Sequence, residues 1–277
     1  MTNARAIQHS ATLPRQRRGL LGGVLRALYE YGALYSSLLL LGLICLSWSL
    51  LTLPLYVLLP AAVARRFGRY GIMRGFRCYA AWLSLIGAYR LELSAIDQLR
   101  GGPPVILAPN HPALIDALLI LTRHPNMACV MKSDLMANVL LGPGARLARY
   151  IRNDSTRQML REAVNDLRAG GILLLFPEGT RTLRGPVNPL KKSVAVIARR
   201  AGVPVQTLLV ETDSPFLSKG WPWLARPSLP VTYRVRLGHR FDPPQDTSRF
   251  MRELEQYYRS ELQGTAAAPW VATSMRR

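Results

Sequence analysis

A histidine and an aspartate five residues apart form the first pair of side chains that could do chemistry. They lie in the segment Asn110-His111-Pro112-Ala113-Leu114-Ile115-Asp116, between an apolar run and a stretch with helical periodicity. An aspartate bonded to one imidazole nitrogen fixes the tautomer of the ring, and the other nitrogen is then free to take a proton from a hydroxyl group. Because the sequence has no serine or cysteine in a nucleophile-elbow context, the pair predicts direct transfer to a hydroxyl that the substrate supplies.

Contact between these two side chains depends on how the backbone turns at this point. Pro112 suits the first position of a helix, which would make His111 the N-cap residue. On a regular helix five residues correspond to about 140° of rotation, so His111 and Asp116 would point apart. At a junction between a strand and a helix the chain can turn the histidine back, and contact becomes possible. Taken alone, the pair is more simply explained by a capping histidine and a surface aspartate.

A second polar segment, Pro177-Glu178-Gly179-Thr180-Arg181-Thr182, directly follows the apolar residues 172–176. The ends of strands are the places where α/β sheets bind ligands. Gly179 permits a close approach of the backbone, and the guanidinium of Arg181 offers a fork of donors that suits a phosphate group. The pair Lys191-Lys192 opens the next predicted helix and could add positive charge. Taken alone, this segment is more simply explained by an ordinary polar turn.

The residues around these two segments alternate between strand-like and helix-like patterns. Strands are predicted at 104–108, 128–131, 172–176, 205–210 and 231–237, the last as an edge or half-exposed strand, and helices at 112–121, 155–169, 191–201 and 247–262. Uniformly apolar strands that alternate with helices predict an α/β fold in which a mostly parallel sheet is covered by helices.

The longest uncharged stretch of the chain is residues 31–64. As one helix it would be roughly 50 Å long, whereas the hydrocarbon core of a bilayer is about 30 Å thick. Pro54 and Pro60 are expected to break its second half. The stretch therefore predicts an N-terminal membrane-inserting helical segment rather than a buried core helix, either a span followed by an interfacial piece or a re-entrant hairpin.

Basic residues flank this stretch on both sides. By the positive-inside rule both flanks belong on the cytoplasmic side, which favours a hairpin or a monotopic insertion. The flanking residues are Arg15, Arg17, Arg18 and Arg26 before the stretch, and Arg65, Arg66, Arg69, Arg74 and Arg77 after it.

The excess of basic residues over the whole chain calls for an anionic partner. The formal net charge is +20 over 277 residues, and the candidate partners are nucleic acid and an anionic lipid surface. The apolar stretch and the lack of a recognisable nucleic-acid-binding motif favour lipid. Cys45, Cys78 and Cys129 form no CxxC pair and have no histidine at metal-ligand spacing, so neither a metal site nor a disulfide framework is predicted.

Together, the two polar segments resemble the 1-acylglycerol-3-phosphate acyltransferase (lysophospholipid acyltransferase) superfamily. The resemblance lies in a strand ending in Asn-His, an aspartate five residues after that histidine and, some sixty residues later, a strand ending in Phe-Pro-Glu-Gly-Thr-Arg. It covers roughly residues 90–210 and excludes the anchor and the tails. The resemblance is specific because the order, the spacing and the strand context of the two segments all agree.

The resemblance implies transfer of a fatty acyl group from acyl-CoA or acyl carrier protein to the hydroxyl of a lysophosphatidate-like lysophospholipid, without a further cofactor or a metal. It makes His111 the general base and Asp116 its orienting partner. It also implies a set of substrate-binding residues around the acceptor head group, namely Asn110, Arg152, Glu178, Gly179, Thr180, Arg181 and Lys192. Two departures from the family pattern, Thr207 near the place of a proline and Ser193 in the place of a glycine, are expected to reshape the acceptor pocket.

The predicted organisation is a basic N-terminal segment (1–30), a membrane anchor with a connecting helix (31–85), an acyltransferase domain (86–262) and a C-terminal tail (263–277). The enzyme is expected at the bacterial inner membrane with its catalytic domain on the cytoplasmic side. Its expected partners are anionic membrane lipids, the lysophospholipid acceptor and the acyl donor, and nucleic acid is not among them. Its expected role is phospholipid biosynthesis.

Three alternatives stay open at this point. Pro112 directly after His111 looks like a bacterial subgroup of which some members serve specialised lipids of the aryl-polyene or ornithine-lipid type. The charge alone would also fit a basic membrane-anchored binding protein without catalytic activity. A lipid hydrolase could use the same histidine and aspartate on water.

Overall fold

The computed structural model describes residues 20–183, 185–222 and 224–263. The loose tails predicted at residues 1–18 and at the C-terminus lie outside the described residues, as do Arg15, Arg17 and Arg18. Helix α1 begins at Leu20, so it already includes the last part of the predicted basic segment. The division of the chain into four segments otherwise stays a prediction.

A seven-stranded sheet forms the centre of the described part of the chain. Its strands are Tyr89–Glu92 (β1), Ile106–Pro109 (β2), Met127–Met131 (β3), Ile151–Arg152 (β4), Ile172–Leu174 (β5), Val205–Thr212 (β6) and Val231–Phe241 (β7). Their order in the sheet is β1-β7-β6-β2-β5-β3-β4, and all neighbours are parallel except β6 and β7. The carboxyl ends of β2, β5, β3 and β4 therefore meet at one edge of the sheet.

Helices cover both faces of this sheet. They are Leu20–Leu58 (α1), Ala61–Leu85 (α2), Asp116–Leu121 (α3), Ser133–Ala137 (α4), Gly142–Leu147 (α5), Thr156–Arg168 (α6), Ser193–Ala201 (α7) and Thr247–Leu262 (α8), with a 3-10 helix at Ser94–Leu99. Alternate residues of a strand point to opposite faces. Leu107 of β2 accordingly packs in a core with α2, α3 and α5, whereas Ile106 and Ala108 pack in a second core with α6, α7 and α8.

These observations confirm the predicted α/β fold, and several helix ends lie where the sequence indicated. Ser155 caps α6 by accepting a hydrogen bond from the Gln158 N–H group, and Gly170 follows the helix with a φ of +83°. Helix α7 ends at Gly202, which has a φ of +67° and so a left-handed conformation that glycine adopts easily. Strand β7 is not at an edge, because the short strand β1, which the sequence did not reveal, covers its outer side.

The anchor is a pair of helices. Helix α1 has 39 residues and continues through Pro54, so the predicted break at this proline is wrong. The break predicted at Pro60 is confirmed, because the chain turns at residues 59–60 and α2 begins at Ala61. Within the described residues, α1 is long and apolar enough to cross a membrane. Its neighbours are α2 and α5, and α2 runs back along α1 with Gly75 against Ile44.

Candidate active site

The predicted pair of histidine and aspartate is in contact at the carboxyl end of β2. Nδ1 of His111 lies 2.8 Å from Oδ2 of Asp116. The prediction that Pro112 opens a helix capped by His111 is wrong, because α3 begins at Asp116 and its N-cap residue is Ile115. Residues 112–115 instead form a turn, and this turn brings together two side chains that a regular helix would keep apart.

The carboxylate of Asp116 is fully buried and holds three hydrogen bonds. Its Oδ2 accepts from the Ala113 N–H group at 2.9 Å and contacts the imidazole of His111. Its Oδ1 accepts from the hydroxyl of Tyr233 at 2.7 Å. Burial raises the pKa of Tyr233 well above its ordinary value, and the charge of Asp116 adds to this effect, so the phenol stays a donor. The sequence analysis missed Tyr233, which lies 117 residues away on β7.

The imidazole of His111 is held by Asp116 and by a stacked aromatic ring, and its second nitrogen is open. Its ring stacks on Phe176, with centroids 4.0 Å apart and planes at 26°. Its side chain is 15% exposed, and its Nε2 atom has no hydrogen-bond partner among the described residues. Since Nδ1 faces Asp116, Nε2 is the nitrogen that can meet a substrate hydroxyl.

Glu178 has a different place from the one that the sequence predicted. It is 2% exposed, and its carboxyl group accepts hydrogen bonds from the His111 N–H group (2.9 Å), the Thr182 hydroxyl (2.8 Å) and the Asn188 N–H group (2.8 Å). Burial raises the pKa of Glu178, and these three hydrogen bonds oppose the shift. A buried carboxyl group occupied in this way fixes the loop after β5 to His111; its contact with an acceptor head group stays a prediction.

Arg181 lies in the same loop, beside the catalytic pair, and is half-buried. One of its terminal nitrogens donates to the backbone carbonyls of Leu217 and Ser218, both at 2.9 Å. The Leu217 carbonyl also accepts from the Leu114 N–H group, so this arginine joins the two polar segments and the loop between β6 and β7. Burial lowers the pKa of Arg181, and the negative charge of Asp116 acts in the opposite direction. Its second terminal nitrogen has no partner among the described residues.

Asn110 was predicted to bind substrate, and the structure uses its amide differently. The side-chain oxygen accepts from the Val210 N–H group at 2.7 Å, and the side-chain nitrogen donates to the Val210 carbonyl at 2.9 Å. Asn110 is 3% exposed. It therefore extends the pairing of β2 with β6 by one residue, and this fixes where His111 leaves the sheet.

Of the remaining predicted binding residues, three follow β5 and one lies on the edge strand β4. Gly179 and Lys192 are exposed and Thr180 is half-buried, all at or after the carboxyl end of β5. Gly179 has a φ of +69°, which a side chain would strain. Arg152 is not brought to this site: it forms an ion pair with Asp154 on the edge strand β4, three strand spacings or roughly 14 Å from β2.

The two departures from the family pattern do not contact His111 or Asp116. Thr207 is fully buried, and its hydroxyl donates to the His239 carbonyl beside Tyr257 of α8, on the face opposite to Tyr233. Ser193 is the first residue of α7 on the same far face. The expectation that they reshape the acceptor pocket therefore has no support in these contacts.

A cavity of about 1020 Å³ opens between the anchor helices and the face of the sheet that carries the site. Its walls are almost wholly apolar, with Leu41 and Trp48 on α1 and Phe76 on α2. Leu114 and Ile115, which lie between His111 and Asp116, line its other side, so the cavity reaches the turn at residues 112–115. The sequence could not show this cavity because its walls come from elements far apart in the chain.

No cluster of three metal-ligating side chains occurs in the described ranges.

Comparison with known proteins identifies relatives of this chain. Residues 90–211 match the family model described as Acyltransferase. The 1-acyl-sn-glycerol-3-phosphate acyltransferase of Pseudomonas aeruginosa is 23% identical over 235 residues, which are 82% of this chain and 84% of that protein. A putative 1-acyl-sn-glycerol-3-phosphate acyltransferase of Caenorhabditis elegans, acl-1, is 24% identical over 208 residues, which are 70% of this chain and 77% of that protein.

A solved structure confirms the fold. The crystal structure of the 1-acyl-sn-glycerophosphate (LPA) acyltransferase PlsC from Thermotoga maritima matches with a TM-score of 0.61 and 22% sequence identity. The match covers 88% of this chain and 95% of that chain, so it includes the anchor helices as well as the sheet.

Proposed function

Since the chain is an acyltransferase of the 1-acylglycerol-3-phosphate acyltransferase superfamily, we propose that it acylates a lysophosphatidate-like lysophospholipid at a membrane. The donor is the thioester of acyl-CoA or acyl carrier protein, and the product is a diacylated phospholipid. No cofactor is required beyond these substrates. A basic binding protein without catalytic activity, which the charge alone allowed, does not fit this family.

The observation that carries the proposal is the contact of His111 with Asp116 and the open Nε2 atom. Nε2 takes the proton of the acceptor hydroxyl while the oxygen attacks the thioester carbonyl carbon. The tetrahedral intermediate then expels the sulfur, and the imidazolium returns the proton to give the free thiol. Asp116 stabilises the imidazolium while the proton resides on the ring. General-base help of this kind contributes roughly 10² to 10⁴ in rate.

Arg181 supports a phosphate-bearing acceptor. Its guanidinium lies beside the catalytic pair, and the terminal nitrogen that is not bonded to the loop carbonyls is available to an anionic oxygen. Arginine binds phosphate oxygens through charge-assisted hydrogen bonds. Lys192 is exposed at the start of α7 and follows Lys191, whose N–H group donates to the Pro177 carbonyl of the same loop at 2.7 Å.

The cavity beside the catalytic turn supports a fatty acyl chain as the transferred group. Apolar walls offer no hydrogen-bond partners to a polar ligand, whereas a hydrocarbon chain gains free energy there by leaving water. Leu114 and Ile115 line this wall next to His111, which supports a chain bound with its carbonyl end at that histidine.

Helix α1 supports a monotopic membrane attachment, the form that the basic flanks favoured. Glu30 and Ser49 of α1 are both bonded to the domain, through Arg226 (2.8 Å) and the Leu140 carbonyl (2.7 Å). The stretch of α1 from Glu30 to Ser49 is about 28 Å long, which is nearly the thickness of the hydrocarbon core of a bilayer. Along this stretch one side of α1 is occupied by protein. Its other side exposes leucines, including Leu39, Leu50 and Leu53, which suit contact with lipid.

The test is thiol release and lipid product formation by His111→Ala. The purified full chain in detergent is given lysophosphatidate and either donor, and the product is measured by mass spectrometry. We expect a loss of at least about 10² in kcat for His111→Ala. His239→Ala, which removes an exposed histidine at the far end of β7, should retain the rate. Turnover by His111→Ala near that of the unmodified chain would refute the proposal, and free fatty acid without acylated lipid would instead identify a hydrolase.

A further inference from the structure

We propose that Tyr233 is a positioning residue of this enzyme, which holds the Asp116 carboxylate so that His111 presents Nε2 to the acceptor hydroxyl. The inference rests on the proposed function, because it concerns how the base acts. Tyr233 does not touch the reacting atoms: it is 1% exposed, near the start of β7 and between the neighbouring strands β1 and β6.

The geometry divides the carboxylate of Asp116 into two sides. Oδ2 serves the imidazole and the Ala113 N–H group, both of which belong to the same turn. Oδ1 receives a hydrogen bond only from Tyr233 among the described residues, at 2.7 Å. This one bond from the sheet therefore sets the rotation of the carboxylate about its side-chain torsion, and with it the direction in which the histidine ring faces.

The sheet makes Tyr233 a fixed reference for the turn. Its backbone pairs with Leu91 of β1 on one side and Thr212 of β6 on the other. The turn at residues 112–115 has no such ladder of its own. The hydroxyl of Tyr233, which is fixed by the sheet, thus holds the Asp116 carboxylate and, through it, the His111 ring in a defined orientation.

The charged and titratable groups around the pair are few. Asp116 faces His111, Tyr233, Tyr89 of β1 and Arg181 of the loop after β5. His111 also lies close to Glu178. Of these groups, Tyr233 donates a side-chain hydrogen bond to the carboxylate and can be changed without removing a charge.

The test is Tyr233→Phe, which keeps the ring and removes the donor. We expect kcat to fall by roughly ten- to hundredfold, the range for one hydrogen bond to a charged group, while KM for the acceptor changes by less than about threefold. The carboxylate, no longer sharing its charge with a phenol, would favour the imidazolium more strongly. The acid limb of the rate profile should therefore move to higher pH by about half a unit or more.

Tyr258→Phe is the matched control. Tyr258 is equally buried, and its hydroxyl donates to the Ala108 carbonyl on the opposite face of the sheet. This variant loses a buried phenol bond of similar kind without touching Asp116, so its acid limb should stay in place. Equal losses in both variants with an unmoved acid limb, or an unchanged kcat in Tyr233→Phe, would overturn the inference. If His111→Ala keeps its activity, the proposed function fails instead.

If Tyr233→Phe does not fold, a second replacement tests the positioning role of Tyr233. Site-specific 3-fluorotyrosine at position 233 retains the shape and the bond and makes the phenol a stronger donor. The acid limb should then move to lower pH, opposite in sign to the phenylalanine variant. An unmoved limb in the folded fluorotyrosine protein would contradict the positioning role.

Discussion

Replacing Asp116 by asparagine isolates the charge of the carboxylate from its geometry. The amide oxygen can take the place of Oδ2 and keep the hydrogen bonds of His111 and the Ala113 N–H group. The amide nitrogen then faces Tyr233, whose hydroxyl can rotate and accept in place of donating. Asp116→Asn should therefore fold and keep the turn, while the imidazolium loses its counter-charge.

The magnitude follows from the contact distance. The bonded atoms are 2.8 Å apart, which puts the centres of the two charges at about 4 Å. At an effective dielectric constant of about 20, a pair of unit charges at that separation interacts by about 4 kcal/mol. If the full charge forms on the imidazole in the transition state, kcat falls by about 10³.

The assay is single-turnover thiol release across a range of pH, with bound acceptor in excess. The acid limb of the profile should move to lower pH, because a neutral amide no longer favours the protonated ring. Asp134→Asn, which removes an exposed acidic residue from α4, serves as the control and should leave the rate and the profile unchanged. A loss below about tenfold in Asp116→Asn, or an acid limb that stays in place, would refute the charge-stabilised base.

Three further predictions test the surroundings of the site. Glu178→Gln places an amide N–H group against a backbone N–H donor and should lower the unfolding free energy by about 1–3 kcal/mol in urea melts. Burial raises the pKa of Glu178, so its contribution to stability is full below pH 4.5 and declines as pH rises through the folded-state pKa; the variant should lose that decline. Leu41→Trp fills part of the cavity and should reduce kcat/KM for long-chain donors at least tenfold relative to short-chain donors, because a long chain would then overpack the cavity. Leu39→Trp, on the exposed side of α1, should leave this ratio unchanged. Arg69→Ala leaves Asp166 buried without its 2.6 Å partner and should cost about 3–5 kcal/mol in the same melts.

The sheet and its helices were largely predictable because they depend on local patterns. Apolar runs indicated β2, β3, β5 and β6, and Ser155 and Gly202 marked helix ends by their own conformational preferences. Strands β1 and β4 are too short to give such a pattern, and β1 is the reason why β7 is internal. Pro54 was misjudged: α1 continues through it, although Pro54 and the residues that follow it up to Leu58 are mostly exposed.

The sequence indicated which residues form the site, but not which contacts each of them makes. The motifs indicated His111, Asp116 and Arg181, and the structure brings these three together. Asn110 and Glu178 belong to the same motifs, yet both are buried and hold the backbone, which only their hydrogen-bond partners reveal. Tyr233 carried no signal, because a tyrosine in an alternating strand is ordinary and its partner lies 117 residues away.

The fastening of α1 to the domain has a mechanical consequence. Glu30 and Ser49 are tied to separate loops of the domain, and α2 is locked to α6 by the buried ion pair of Arg69 and Asp166. We expect these contacts to hold the anchor helices and the sheet together as one body. If α1 lies in a membrane as proposed, we expect His111 to stay at a fixed height relative to the bilayer plane, so that an acceptor lipid can reach it by diffusing within its leaflet.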